Sequence, residues 1–584
     1  MLRLFRFLKA KEWVFIVLSF GLIIFQVWLD LKLPDYMSKI TTLVQTEGSK
    51  MNEVWEAGGL MLACALGSLL TAVVVSFIAS RVSAVLSYRM RQGVYDKVES
   101  FSMEEIKNFS TSSLITRTTN DVSQVQMAMT LSLQLLVKAP VMAVWAICKI
   151  ANKGWQWSVA TAVAVGILIV MLGVVIIFAV PRFKKIQKLT DNLNSSTREN
   201  LEGLRVVRAY NAESYQEAKF EKVNNELTKT HLFTGRVMAI MNPGMTLIAS
   251  GLTLAIYWIG AYLINSAAIP GKIQLFSDMV VYISYAMQVV MSFMLLIMIF
   301  MLLPRASVSA KRINEVLDTK PKILDGKENA VENLGIVEFK NVSFKYPDAE
   351  EYVVRNVSFT ARKGETVAFI GSTGSGKSTL INLIPRFYDA TDGEILIDGV
   401  NVKDYEQKAL HNKIGYVPQR AVMFAGSIKS NLDFGDNGKG EKSDEDIADA
   451  SEIAQAKKFI DKLPEGYDAR VAQGGTNFSG GQKQRMAIAR AIARKPEIFI
   501  FDDSFSALDY KTDRVLRKQL KSKTADAITF IVAQRIGTIK DADKIIVLDA
   551  GDVVGMGKHK ELLTSCEVYR EIALSQLSKE ELDK

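Results

Sequence analysis

The chain has 584 residues, of which 49% are hydrophobic, with a mean hydropathy of +0.14 and a formal net charge of +9. That length is too great for one domain, and that hydropathy is unusual for a protein soluble throughout. The positive balance suits an anionic ligand or an anionic membrane surface. No basic stripe interleaved with aromatics accompanies it, so nucleic acid is not indicated.

Cys64, Cys148 and Cys566 are far apart and lack metal-ligand spacing, which reads as buried or lipid-facing free thiols. The apolar residues are unevenly spread. The N-terminal half carries long apolar blocks, and the remainder has the texture of a soluble α/β domain.

Six apolar stretches, at 13–33, 57–80, 129–152, 157–181, 245–267 and 279–303, are each long enough to cross a hydrocarbon layer of about 30 Å as a helix. The first is too long and aromatic for a cleaved signal, with no small-residue cleavage site after it. Arg3, Arg6, Lys9 and Lys11 precede the first span and place the N-terminus in the cytoplasm. Arg81, Arg89, Arg91 and Lys97 follow span two; Arg182, Lys184, Lys185 and Lys188 follow span four; Lys311 and Arg312 follow span six. With six crossings all of these share one side, and Glu47, Glu53 and Glu56 lie opposite. The even count puts the C-terminal domain in the cytoplasm too.

The loops after spans two and four are long but keep a polar, helical pattern, as in ITRTTNDVSQVQ (115–126) and ENLEGLRVVRAYNAESY (199–215). They read as membrane helices continued into the cytosol, each ending in a short turn. Lys138, in LLVKAPVM, must face a cavity or snorkel, and its place near the cytoplasmic end of span three favours snorkelling. Met287, Met291, Met294, Met298 and Met301 share one face of span six. Packing against a neighbouring helix is the expected use of that stripe. A surface accepting many apolar shapes is the alternative.

From Gly335 onward short strands and turns take over. In GETVAFIGSTGSGKSTLINLI (364–384) a strand meets a glycine-rich loop and a helix follows, matching G-x-x-x-x-G-K-[ST] at Gly371, Gly376, Lys377 and Ser378. Backbone N–H groups from Ser372, Thr373, Gly374, Ser375, Gly376, Lys377, Ser378 and Thr379 can cradle the phosphates of ATP. Lys377 reaches the β and γ phosphates and Ser378 the Mg²⁺. In IFIFDDSF (498–505) a buried apolar strand ends at two aspartates, and Asp502 takes the second Mg²⁺-holding position of P-loop ATPases. The fold expected is multidomain: an all-α six-helix transmembrane domain over 1–320, then an α/β P-loop ATPase domain over 333–584.

NFSGGQKQRMAIARAI (477–492) narrows this further. The second half resembles the ATPase domain of ABC transporters, whose signature is close to LSGGQ. Tyr346 in FKYP resembles the aromatic that stacks on adenine. Gln419 in YVPQ resembles the glutamine linking Mg²⁺ to the membrane domain, and SALD (506–509) the D-loop. Six fused spans with long cytoplasmic loops resemble the type IV exporter class, in which ITRTTNDV and RVVRAYNAE fall at the coupling helices. The resemblance implies a dimer, since each ATP lies between one chain's P-loop and the other's signature.

Two positions depart from the family. Asp503 stands where a glutamate usually orients the attacking water, and Gln534 where the switch histidine stands. Both serve the site holding this chain's own P-loop. Phe478, Ser479, Gly480, Gly481 and Gln482, the signature, serve the partner's ATP and look intact. The resemblance therefore implies a heterodimer with one impaired site, like bacterial heterodimeric multidrug exporters. The antigen-peptide transporter of vertebrates is also similar, but no N-terminal extension or organellar targeting pattern is seen. The expected function is ATP-driven export of amphipathic drugs or lipid-like molecules from the cell membrane. Alternatives are lipid or peptide translocation, a homodimer with two slow sites, or a gate rather than a pump.

Overall fold

The computed structural model describes residues 2–46, 48–151, 154–329, 332 and 334–576. Glu47 and the side chains of Lys184 and Met301 lie outside the described residues. Two compact units form: Met1–Glu99 with Thr111–Thr319, and Ser100–Ser110 with Lys320–Lys584.

Six helices among the described residues are long and apolar enough to cross a membrane: Ala10–Gln45, Met51–Glu99, Thr111–Ala151, Trp155–Glu202, Glu213–Ser266 and Gly271–Asp318. Each of the six apolar stretches falls on one of them. All run well past the apolar stretch, because the polar flanks keep helical composition and carry few breakers. Met51–Glu99 is 49 residues long, beyond what a bilayer needs, so the extension into the polar loop is real.

The turn of the first loop differs from the sequence expectation. It lies at residues 100–110, where Ser102 caps the short helix Met103–Asn108, and not at ITRTTNDV. Thr116, Thr118 and Thr119 bond back to carbonyls four residues earlier, and Arg117–Asp121 is one π-helical turn. The threonine run thus satisfies its hydroxyls within a continuing helix instead of ending it. In the second loop RVVRAYNAE does hold the turn: a short helix, Leu204–Ala209, breaks at Asn211, whose φ is +52°.

Lys138 does not snorkel. It pairs with Asp30 at 3.3 Å, and Ser68 donates to the same aspartate at 2.5 Å. A second pair, Lys149–Asp35 at 2.8 Å, is joined by the Tyr285 hydroxyl at 2.6 Å. Pairing within the bundle removes the need to reach water. The methionine stripe is only partly covered within this chain: Met287, Met291, Met294 and Met298 are all exposed.

In the second unit the strands are β1 (Ile336–Phe344), β2 (Val354–Arg362), β3 (Thr366–Gly371), β4 (Asp392–Ile397), β5 (Val400–Asn401), β6 (Ile414–Val417), β7 (Gly426–Ser427), β8 (Arg470–Val471), β9 (Ile498–Asp502), β10 (Ile528–Val532), β11 (Lys544–Asp549) and β12 (Asp552–Gly557). The main sheet has the order β12-β11-β3-β10-β9-β6. Its strands are parallel except for β12, which pairs antiparallel on the edge. Every residue of β9 and β10 is buried, as expected of central strands covered on both faces. A smaller antiparallel sheet, β2-β1-β4-β5, packs its apolar residues against one face. The carboxyl ends of β3, β6, β9 and β10 therefore gather at one edge, where ligands bind in such sheets.

Candidate functional site

β3 delivers the chain into the glycine-rich loop, and the helix Lys377–Asn382 leaves it. Two glycines here admit no side chain. A Cβ on Gly371 would lie 1.9 Å from the Leu548 carbonyl oxygen, and one on Gly376, at φ +92°, would lie 2.6 Å from that of Val353. The loop is thus pressed against its neighbours, with its N–H groups available to an anion. Lys377 is folded back along it, donating to the carbonyls of Gly371 (3.0 Å) and Ser372 (2.6 Å) and to Ser375 Oγ (3.2 Å). Burial lowers the ammonium's pKa, against the pull of Asp503 and Asp502.

Ser378 Oγ donates to Asp502 Oδ1 at 2.6 Å. Asp502 is only 5% exposed, and burial pushes its pKa up, with Asp503 adding to the effect and Ser378 and Lys377 opposing it. A buried carboxylate and a hydroxyl form an all-oxygen donor pair, which suits Mg²⁺. That ion takes one or two protein ligands and leaves the rest to phosphate and water. Among the described residues no group of three or more His, Cys, Asp or Glu could hold a metal.

Tyr346 lies over the start of this helix. Its hydroxyl is 3.1 Å from Thr379 Oγ1, and Phe344 and Tyr388 stand nearly perpendicular to its ring, with centroids at 5.0 and 5.4 Å.

Asp503 follows β9 with φ +44°, a left-handed conformation that aspartate tolerates better than most residues. Its N–H donates to the Val532 carbonyl at the end of β10, tying the two strand ends together. Its Oδ2 accepts from Gln534 Nε2 at 2.9 Å and, more weakly, from Gln419 Nε2 at 3.4 Å. Burial pushes its pKa up, with hydrogen bonds from Gln419 and Ser506 and the charges of Arg535 and Lys377 opposing. Sequence reasoning put Asp503 and Gln534 in one site and Gln419 with the Mg²⁺, and the structure brings both amides to one carboxylate oxygen. It places Gln419 on Asp503 rather than on the Ser378–Asp502 pair.

Gln576 was missed. Its side chain accepts from Ile536 N (2.8 Å) and donates to the Gln534 carbonyl (2.7 Å), bracing the segment that carries Gln534 from the far end of the chain. No signal in the sequence marks it.

Ser479 caps the helix Gly480–Ala493. Its hydroxyl accepts from Gln482 N at 3.3 Å and its N–H donates to Gln482 Oε1 at 2.9 Å. This reciprocal box fixes the signature's shape while Ser479 and Gly480 stay exposed. A family described as ABC transporter transmembrane region matches residues 14–314, and one described as ABC transporter matches 354–506.

The chain belongs to the ABC transporter family. It has the half-transporter arrangement, a six-helix membrane domain followed by an ATP-binding domain, and is a multi-pass membrane protein. The ATP-binding domain implies ATP hydrolysis coupled to transport. This transporter is 38% identical over 522 residues to an ABC transporter ATP-binding protein of Mycobacterium bovis, covering 89% of this chain and 87% of that one. It is 31% identical over 509 residues to the ATP-dependent lipid A-core flippase of Aromatoleum aromaticum, covering 86% and 82%. In fold it is similar to a bacterial Atm1-family ABC exporter solved with ATP bound, with a TM-score of 0.81 at 24% identity, covering 98% and 100%.

Proposed function

We propose that this transporter is one half of a heterodimer that exports amphipathic drugs or lipid-like molecules, and that its own P-loop lines an impaired ATP site. The observation carrying this reading is the carboxylate of Asp503, one methylene short of a glutamate and held by the side-chain amides of Gln534 and Gln419. A general base must lie about 2.6–3.2 Å from the atom it deprotonates. Asp503 loses about 1.5 Å of that reach, one C–C bond, and spends its Oδ2 on amide donors.

Within this site Tyr346 stacks the adenine and the Ser372–Thr379 backbone holds the phosphates. Lys377 leaves its loop carbonyls for the β and γ phosphates. Ser378, Asp502 and Gln419 would hold Mg²⁺, which would neutralise charge on the phosphate oxygens. Gln534 can donate a hydrogen bond but carries no charge. Binding is therefore retained and hydrolysis impaired. Ser479, Gly480, Gly481 and Gln482 complete the partner's site, where the partner supplies the glutamate and histidine.

Both termini and the ATPase domain lie in the cytoplasm, following the positive loop charges. Likeness to a lipid A-core flippase favours lipid translocation as the second reading. In the deciding experiment the chain is purified alone and with a second half-transporter carrying Glu and His at these positions. Slow ATPase and no transport alone, with both restored together, is the expected result. Robust transport by the chain alone overturns the heterodimer.

A further inference from the structure

We propose that Lys107 competes with the adenine of ATP for the face of Tyr346, so that the short helix Met103–Asn108 registers whether nucleotide is bound. This rests on the reading of Tyr346 as the adenine platform and adds to it a residue that no sequence motif marks.

The helix lies far from the ATPase domain in the sequence yet is seated within the second unit. Its attachment is specific. Ser102 and Glu105 form a capping box, and the buried Glu105 accepts from Ser102 N at 2.8 Å, Ser102 Oγ at 2.5 Å and Lys322 N at 3.2 Å. Glu104 pairs with Lys322 Nζ. Glu104 and Lys107, three residues apart, lie on neighbouring positions of one helical face. So held, the helix presents Lys107 to the aromatic cluster, with its ammonium nitrogen 4.2 Å from the Tyr346 ring centroid.

Tyr346 cannot readily turn away. Thr379 holds its hydroxyl, and Phe344 and Tyr388 stand perpendicular to it. A purine must therefore come to a face of the ring. Lys107 is itself exposed, and the ring face it covers is the one we assign to the adenine. A cation over an aromatic face and a base stacked on it use the same surface, and both cannot occupy it. Nucleotide binding then frees Lys107 and removes one attachment of the helix. By linkage, drawing the helix away strengthens nucleotide binding by the same factor.

The test is equilibrium binding of Mg·AMP-PNP to the full chain in lipid nanodiscs. Lys107→Ala should bind about two- to fivefold more tightly, the factor expected from loss of one exposed cation–π contact. Lys107→Gln, which keeps the length without the charge, should do the same, and Lys107→Arg should not. In a Tyr346→Ala background, Lys107→Ala should change nothing, an outcome that a merely structural role for the lysine would not give. If Tyr346→Ala weakens binding but Lys107→Ala and Lys107→Gln leave it unchanged or weaker, the competition is wrong and the platform stands. If Tyr346→Ala has no effect, the platform itself is wrong and the competition falls with it.

Discussion

Gln534 Nε2 donates to Asp503 Oδ2 at 2.9 Å, so the two residues that depart from the family pattern are bonded to each other. An amide in this place holds the short carboxylate in a neutral contact. An imidazole would demand a different partner geometry, and a longer acid would reach past the amide. Each departure therefore accommodates the other, and repairing one alone leaves the site mismatched.

Asp503→Glu together with Gln534→His should awaken this chain's own site, and either change alone should do far less. Catalytic bases typically contribute about 10²- to 10⁴-fold. ATPase rates in the assembled transporter, with the partner's P-loop lysine removed, read this site alone. Equal rates for the double variant and the parent would show that the block lies elsewhere.

The ammonium of Lys377 sits on the carbonyls of Gly371 and Ser372, at the head of the glycine-rich loop. Lys377→Ala should therefore empty this site while leaving turnover at the partner's P-loop. Counting nucleotides in a trapped complex checks it: two per unmutated heterodimer, one in the variant. One nucleotide in the unmutated complex would contradict retained binding.

The nucleotide machinery was legible because it is local. A strand, a loop with glycines at Gly371 and Gly376 and a helix follow one another within a short stretch, and phosphate chemistry tolerates little variation there. The apolar spans were legible because a bilayer demands length and hydropathy. What stayed hidden depends on distant partners. Lys138 looked like a snorkelling residue because of its place near the cytoplasmic end of span three, and its partner Asp30 sits on another helix. The first loop's turn was misplaced because its position was carried over from the exporter resemblance, whereas the threonines at 116, 118 and 119 bond backward within a continuing helix. Gln576 carries no pattern at all, since a glutamine that braces a loop is indistinguishable in sequence from one facing solvent.

The Asp30–Lys138 pair should behave as a unit. Both side chains are largely buried, at 19% and 23% exposure. Asp30→Asn or Lys138→Met alone leaves a charge unpaired inside the bundle, at a cost of about 2.5–3.5 kcal/mol on insertion scales. The double change leaves none, and replacing both partners is often nearly neutral. Thermal unfolding in nanodiscs should show each single variant lowered and the double variant close to the parent. A double variant that loses the sum of both singles would show that the two side chains act independently.

The proposed division of labour between two ATP sites gives the sharpest contrast, because both mutations are made in one polypeptide. In the proposed heterodimer Asp503 is short of its water, and its Oδ2 accepts from Gln534 and Gln419, so Asp503→Ala should change turnover by less than about tenfold, below the usual contribution of a general base. Ser479 is different. It caps the signature helix through its bond with Gln482, and in the proposed heterodimer its hydroxyl serves the partner's nucleotide. Ser479→Ala removes both the cap and that contact, so it should damage the partner's active site while leaving nucleotide bound to this chain's own P-loop. ATPase rates for the two variants, measured side by side with the partner unmutated, decide the matter. A dead aspartate variant beside a near-normal serine variant would mean that the working site is the one lined by Asp503.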